Sequence, residues 1–362
     1  MTARRPRPLS VSAALVLISL LAACGGGEGS PSSPTPTATP PPGSAGFTYD
    51  GVTHVSWWHD EYGYPSATDA RRALAGTGAR WGGLLTTWYM ERKDSNEIRP
   101  VADRSNDDDV VRRAIDEMHA LGLKVMLKPD VDVEDGTWRA QITPTSPDRW
   151  FESYAAFVDH YVAIAAEKNV AMLCIGTELA SMSGSRYAAP WIGLISRIRS
   201  RYGGLLTYAA NGVEPADEFT SVAFWGQVDL LGADVYTPLT DKTSPTRAEL
   251  AAGWRRNRYG HDMVAAFHNV QQAYGKPLIF TEIGYRSGDG ANRAPWDWGL
   301  SMAVDPAEQA DCYAAMYEVW SRETWMKGPF WWAWDVSPPA AGDTGYNPRG
   351  KPAEDVLRQW QR

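Results

Sequence analysis

The stretch that decides the fold is Lys276-Pro277-Leu278-Ile279-Phe280-Thr281-Glu282-Ile283-Gly284-Tyr285. Its apolar run, Leu278 to Phe280, reads as a buried strand, and a lone acid stands at the C-terminal end. Gly284 then lets the chain turn sharply away. A carboxylate in such a place is costly unless it is paired or used, so Glu282 needs partners.

Similar apolar runs recur along the chain and alternate with amphipathic segments. The pattern predicts strands over 52–57, 81–88, 124–128, 171–175, 205–209, 228–235 and 328–334, with the opening stretch as the seventh of eight. Helices are expected over 67–74, 107–121, 150–167, 190–202, 247–273, 307–321 and 353–361. Repeated strand–helix units imply a parallel sheet with right-handed crossovers, and eight of them imply a closed (β/α)8 TIM barrel, an α/β fold. An open doubly wound sheet is the alternative, but the first strand is not followed by a Gly-rich phosphate turn. Residues 46–362 have the composition of one such unit, without a second linker or an internal repeat.

The segment before that unit reads differently. Arg4, Arg5 and Arg7 precede an apolar run from Leu9 to Leu21, and Leu21-Ala22-Ala23-Cys24 follows. This order reads as a secretory signal over 1–23 with a lipoprotein box, in which Cys24 becomes the lipidated N-terminus. An ordinary signal peptide that happens to contain a cysteine is the alternative. Residues 24–45 are Gly, Ser, Pro and Thr with almost nothing apolar, and read as a tether. An exported protein, anchored to a membrane by lipid and facing the cell surface or periplasm, is therefore expected.

The totals exclude several classes. A net charge of −8 without a basic run argues against nucleic acid as a partner. The six histidines lack metal-ligand spacing, so no metal or other cofactor is expected. Cys174 and Cys312 read as isolated buried thiols rather than a disulfide. A monomer is the working expectation. Seventeen tryptophans stand beside 16 tyrosines. An indole offers a flat apolar face and one N–H donor, which suits a sugar ring, although most of them should be core packing.

In a TIM barrel the active site lies at the C-terminal ends of the strands. Strand four ends in Gly176-Thr177-Glu178 and strand seven in Thr281-Glu282, which brings two carboxylates to one rim. Two such groups flanked by aromatics is what glycoside hydrolysis requires: one donates a proton and the other stays ionised. Asp130, Asp132, Asp234 and Asp335 also fall near strand ends. Of these, Asp130 reads as an acceptor for a sugar hydroxyl.

Taken together and in order, several pieces make the chain resemble glycoside hydrolase family 113, known for β-1,4-mannanases, within the clan of retaining (β/α)8 glycosidases. They are Leu127-Lys128-Pro129, Trp138-Arg139, Ile175-Gly176-Thr177-Glu178-Leu179, Leu206-Thr207-Tyr208-Ala209-Ala210-Asn211, Phe224-Trp225, Thr281-Glu282-Ile283-Gly284-Tyr285-Arg286-Ser287 and Pro295-Trp296. Much of the wider clan has Asn where Thr177 stands, and the family pattern often has His at the position of Asp130.

The resemblance implies that Glu178 is the acid/base and Glu282 the nucleophile of a retaining endo-β-1,4-mannanase. Tyr236 is placed to hold Glu282 ionised, unless it is a rim aromatic without a role. Trp332 and Trp334 share one face of strand eight if side chains alternate, and one of them is expected under the cleaved sugar, with core packing as the competing reading. Trp57, Trp88 and Trp225 are further platform candidates, and Asn211 a polar contact. An exo-acting β-mannosidase or another β-glycanase would use the same chemistry. A non-catalytic glycan-binding lipoprotein would need the aromatics but not the paired glutamates.

Overall fold

The eight predicted strands form and close on themselves in chain order. They are β1 (Gly51–Val55), β2 (Trp81–Met90), β3 (Lys124–Val133), β4 (Met172–Thr177), β5 (Leu205–Asn211), β6 (Leu230–Val235), β7 (Leu278–Ile283) and β8 (Met326–Asp335). Every neighbouring pair is parallel. This computed structural model describes residues 46–214 and 217–361. The signal, Cys24 and the tether lie outside the described residues. No described helix is long and apolar enough to cross a membrane.

The strands are joined by α1 (Pro65–Ala75), α2 (Asp108–Ala120), α3 (Pro147–Glu167), α4 (Ala188–Arg199), α5 (Arg247–Gly253), α6 (Met263–Tyr274) and α7 (Pro306–Trp320), with α8 (Pro352–Trp360) closing the chain. The single helix expected over 247–273 is two. Thr246 and Glu249 make a capping box that starts α5, and Asp262 caps α6 through the Ala265 N–H. Between them Asn257 Oδ1 accepts from the N–H groups of Tyr259 and His261, and Gly260 sits at φ +85°, so the chain turns rather than continuing. Between β5 and β6 no α-helix occurs among the described residues. Two 3-10 turns, Glu218–Thr220 and Trp225–Gln227, cover that face of the barrel.

Side chains alternate between two cores. Leu127, Leu173, Leu206, Leu231, Leu278 and Phe280 point outward and pack under the helices. Trp81, Met126, Met172, Leu230, Ile279 and Phe330 fill the lower barrel interior. Above them the interior becomes polar. Gly232 keeps it narrow there, since a Cβ would stand 2.4 Å from Tyr208 O and 2.5 Å from Thr207 Oγ1. Cys174 and Cys312 are both buried and free.

Candidate active site

Glu282 reaches the upper barrel interior because β7 breaks its own alternation. Phe280 pairs with Ala233 but Glu282 pairs with Asp234, so β7 spends one more residue than β6 over that step. Strict alternation would aim Glu282 outward with Phe280. The extra residue turns Thr281 and Glu282 to the same side, as bulges near active sites do. Asp234 in turn pairs with Asn211 of β5, which places Asn211, Asp234 and Glu282 in one row.

Both Glu282 oxygens act as acceptors. Lys128 Nζ donates to Oε1, and Tyr236 Oη donates to Oε2 at 2.7 Å. The same ammonium lies 3.0 Å from Asp234 Oδ2, while the Thr281 hydroxyl donates to Asp234 Oδ1 at 2.7 Å. Lys128 is fully buried; burial works against its charge, but Asp234 and Glu282 outweigh that and hold it above the usual ammonium range.

Glu178 stands one residue beyond β4 with φ +49°, a left-handed conformation unusual for a side chain of this size. Two bonds from β5 hold it. The Glu178 N–H donates to Ala209 O at 2.7 Å, and the Leu179 N–H donates to Tyr208 Oη at 2.9 Å. Tyr208 donates onward to Glu218 Oε1 at 2.5 Å, and Glu218 Oε2 accepts the Asn211 N–H at 2.9 Å. Burial pushes the Glu218 carboxyl up to about 7 against those two bonds. The network fixes Asn211, whose Nδ2 donates to Glu178 Oε1 at 3.0 Å. Trp138 Nε1 donates to Glu178 Oε2 at 3.1 Å, and Arg139 Nη1 lies 3.8 Å from the same oxygen.

Of the sequence-predicted residues, these contacts pair Glu178 with Asn211 and Glu282 with Tyr236. Trp332 is half-buried near the mouth, edge-to-face with Trp57 at 6.1 Å between ring centres. Trp334 does not share its face. β8 spends three residues, Trp331 to Trp334, against two of β1, so Trp334 turns outward, fully buried, and donates to Ala70 O of α1. Trp88 packs away from the mouth, against Phe157, His160 and Tyr161 of α3. Trp225 is fully buried beside Phe219 and Tyr208 and donates to Phe219 O. These three are packing residues rather than sugar platforms. Asp130 lies inside β3 and is buried, with Oδ2 2.8 Å from Arg139 Nη1. Its Oδ1 is buried without a hydrogen-bond partner, and burial pushes the carboxyl up to about 7 although Arg139 pulls the other way.

Lys128, Trp138, Arg139, Tyr208 and Glu218 join the site without a role that the sequence alone marks for them. For Lys128 a signal was there to be read. Met126, Lys128 and Asp130 share one face of β3, and a lysine in the middle of a buried strand demands a partner as firmly as Glu282 does. Glu218, in a loop seven residues beyond Asn211, carried no comparable signal.

Comparison with known proteins identifies a family and a fold. The model of glycoside hydrolase family 113 matches residues 52–351. The fold resembles the GH113 β-mannanase AaManA from Alicyclobacillus acidocaldarius, solved in complex with ManMIm, at 32% identity and TM-score 0.77, over 88% of this chain and 97% of that one. It also resembles a GH113 β-1,4-mannanase complex at 28% identity and TM-score 0.77, over 88% of this chain and 99% of the other. A β-glucuronidase from Ruminococcus gnavus shares only the fold, at 11% identity and TM-score 0.55, over 87% of this chain and 50% of that enzyme. No curated protein gives a significant match. With a closed (β/α)8 barrel, two glutamates on one rim and a family match that spans most of the described residues, the chain is a glycoside hydrolase and belongs to glycoside hydrolase family 113.

Proposed function

We propose that this enzyme hydrolyses internal β-1,4 linkages of mannan-type polysaccharides with retention of configuration, Glu178 acting as acid/base and Glu282 as nucleophile. The observation that carries the reading is the unequal treatment of the two carboxylates. Glu282 is clamped from both sides by Lys128 and Tyr236, as a group that must attack along one line should be. Among the described residues, Glu178 accepts side-chain hydrogen bonds only from the neutral N–H donors of Trp138 and Asn211, with the Arg139 guanidinium standing off at 3.8 Å. The two relatives described as β-mannanases support the substrate class.

In the first step Glu178 gives its proton to the glycosidic oxygen while a Glu282 oxygen attacks the anomeric carbon. The carbon–oxygen bond breaks and a glycosyl ester of Glu282 forms. In the second step Glu178, now a carboxylate, takes a proton from water, whose oxygen attacks the same carbon and expels Glu282. Retention requires carboxyls ~5–5.5 Å apart, against ~6.5–9.5 Å for inversion. Assays on mannan, glucomannan, xylan and cellulose test the substrate. A ladder of mannooligosaccharides is expected from mannan. Release of monosaccharide alone would favour the exo reading, and cleavage of xylan or cellulose but not mannan would overturn the assignment.

Tyr236→Phe removes one donor to the nucleophile and little volume. A hydrogen bond to a charged group contributes about 1.5–3 kcal/mol, so kcat should fall on the order of 10–100-fold with KM nearly unchanged. An unaltered kcat would remove Tyr236 from the machinery.

We propose also that the chain is exported and anchored through a lipidated Cys24. The support is the order of basic, apolar and small residues before that cysteine. Cys24→Ser should move the protein from the membrane fraction to the soluble one, and an unchanged distribution would refute the anchor.

A further inference from the structure

Of the 17 tryptophans, three are well exposed: Trp138, Trp296 and Trp298, at 37%, 43% and 49%. All three stand on loops at the C-terminal rim. Trp138 follows β3, and the other two follow β7. In a closed barrel of eight strands in chain order, β3 and β7 are four strands apart in either direction, so their loops face each other across the mouth. Trp138 touches the proposed acid/base. Among the described residues no aromatic ring packs on Trp296 or Trp298.

The loop that displays them is tied to its neighbours through a buried charge. Arg286 is only 7% exposed, and its Nη1 donates to Asp297 O at 3.0 Å and Leu300 O at 2.6 Å, on either side of Trp298. Its Nε and Nη2 reach Thr344 O and Thr344 Oγ1, both at 3.1 Å, in the loop after β8. Tyr346 of that same loop donates to Pro295 O at 2.5 Å and lies edge-to-face with Tyr236, the partner of Glu282, at 6.2 Å. Gly288 and Val304 pair as an antiparallel bridge at the base of the loop. Burying a guanidinium against backbone carbonyls is expensive, and here it fixes two large apolar side chains in water rather than under cover. Exposed indoles held in place next to a polysaccharide cleft gain stacking area without an ordering cost.

We propose that Trp296 and Trp298 form a distal sugar-stacking site on the β7 rim. It binds β-linked hexopyranose units of the same chain that is cut at Glu178 and Glu282, so that the polysaccharide crosses the mouth from the Trp138 side to the Trp296 side. This rests on the proposed hydrolysis of mannan-type chains and extends it: the enzyme selects for chain length, and the cleft is open at both ends.

The test compares wild type with Trp296→Ala, Trp298→Ala and the double variant on mannotriose, mannohexaose and soluble mannan. Both side chains are exposed, so the fold should survive, which thermal melting checks. The double variant is expected to lose about tenfold or more in kcat/KM on mannohexaose and mannan, mostly through KM, and less than about twofold on mannotriose. Equal losses at every length, or none, overturn the site. Loss of binding to phosphatidylglycerol vesicles with kinetics unchanged would assign the patch to a lipid surface and equally overturn it. If wild type cleaves none of these substrates, the proposed function fails instead, and calorimetric titration with mannohexaose still reads the site. A reduced affinity in the double variant would uphold it, and an unchanged affinity would sink it.

Discussion

Glu282→Ala should lower turnover of mannooligosaccharides by roughly 10⁴–10⁶-fold, the scale seen when a covalent nucleophile is removed. Binding should survive, because the aromatics of the mouth are untouched. The variant also opens space beside Lys128 and Tyr236, both of which would still point at it. A small anion such as azide can enter there and attack the anomeric carbon directly. One displacement inverts configuration, so the rescued product is the α-glycosyl azide. Glu178→Ala behaves differently. The nucleophile remains, the ester forms from substrates with good leaving groups, and azide then gives the β-glycosyl azide by a second displacement. The reverse pair, the β-glycosyl azide from Glu282→Ala and the α-glycosyl azide from Glu178→Ala, would mean that the two roles are misassigned.

Lys128→Met is expected to have the largest effect on stability. Its ammonium is fully buried between Asp234 and Glu282, and these are the charges that keep it protonated. Taking away one member of a buried ion cluster leaves uncompensated charge in a medium that solvates it poorly, which costs about 3–5 kcal/mol. The urea midpoint should fall accordingly. Asp234→Asn in the same chain should recover part of the loss, since one of the stranded carboxylates is gone. A single variant within about 1 kcal/mol of wild type would show that the cluster does not carry the charge assigned to it. Activity should fall as well, because Glu282 loses the donor that orients it.

The barrel was legible because each strand is a short apolar run with its own turn, and strand count alone closes it. The acid at the end of the seventh run was legible from the cost of burying it. Where each end residue points was not. Glu178, Glu282 and Trp332 all follow or sit at register shifts in β4, β7 and β8, where one strand spends more residues than its neighbour. A period of two cannot show such a step, and it would send Glu282 outward and keep Trp332 and Trp334 together. Tryptophan was a poor guide for a second reason. The outer core between strands and helices uses the same side chain as the cleft, and Trp88, Trp225 and Trp334 went to the first. The supports of Glu178 escaped because they are assembled through β5 and its following loop, by Tyr208 and Glu218, with no spacing that marks them.

On the proposed mechanism Glu282 becomes covalently bonded to the sugar, and the linkage is broken by two displacements. Proton NMR during hydrolysis of mannohexaose at high enzyme concentration reads this directly, before the new reducing ends mutarotate. The β-anomer signal of the new reducing ends is expected to rise first, with the α signal following only at the rate of mutarotation. An initial burst of the α-anomer would mean a single inverting displacement, and would contradict Glu282 as the nucleophile.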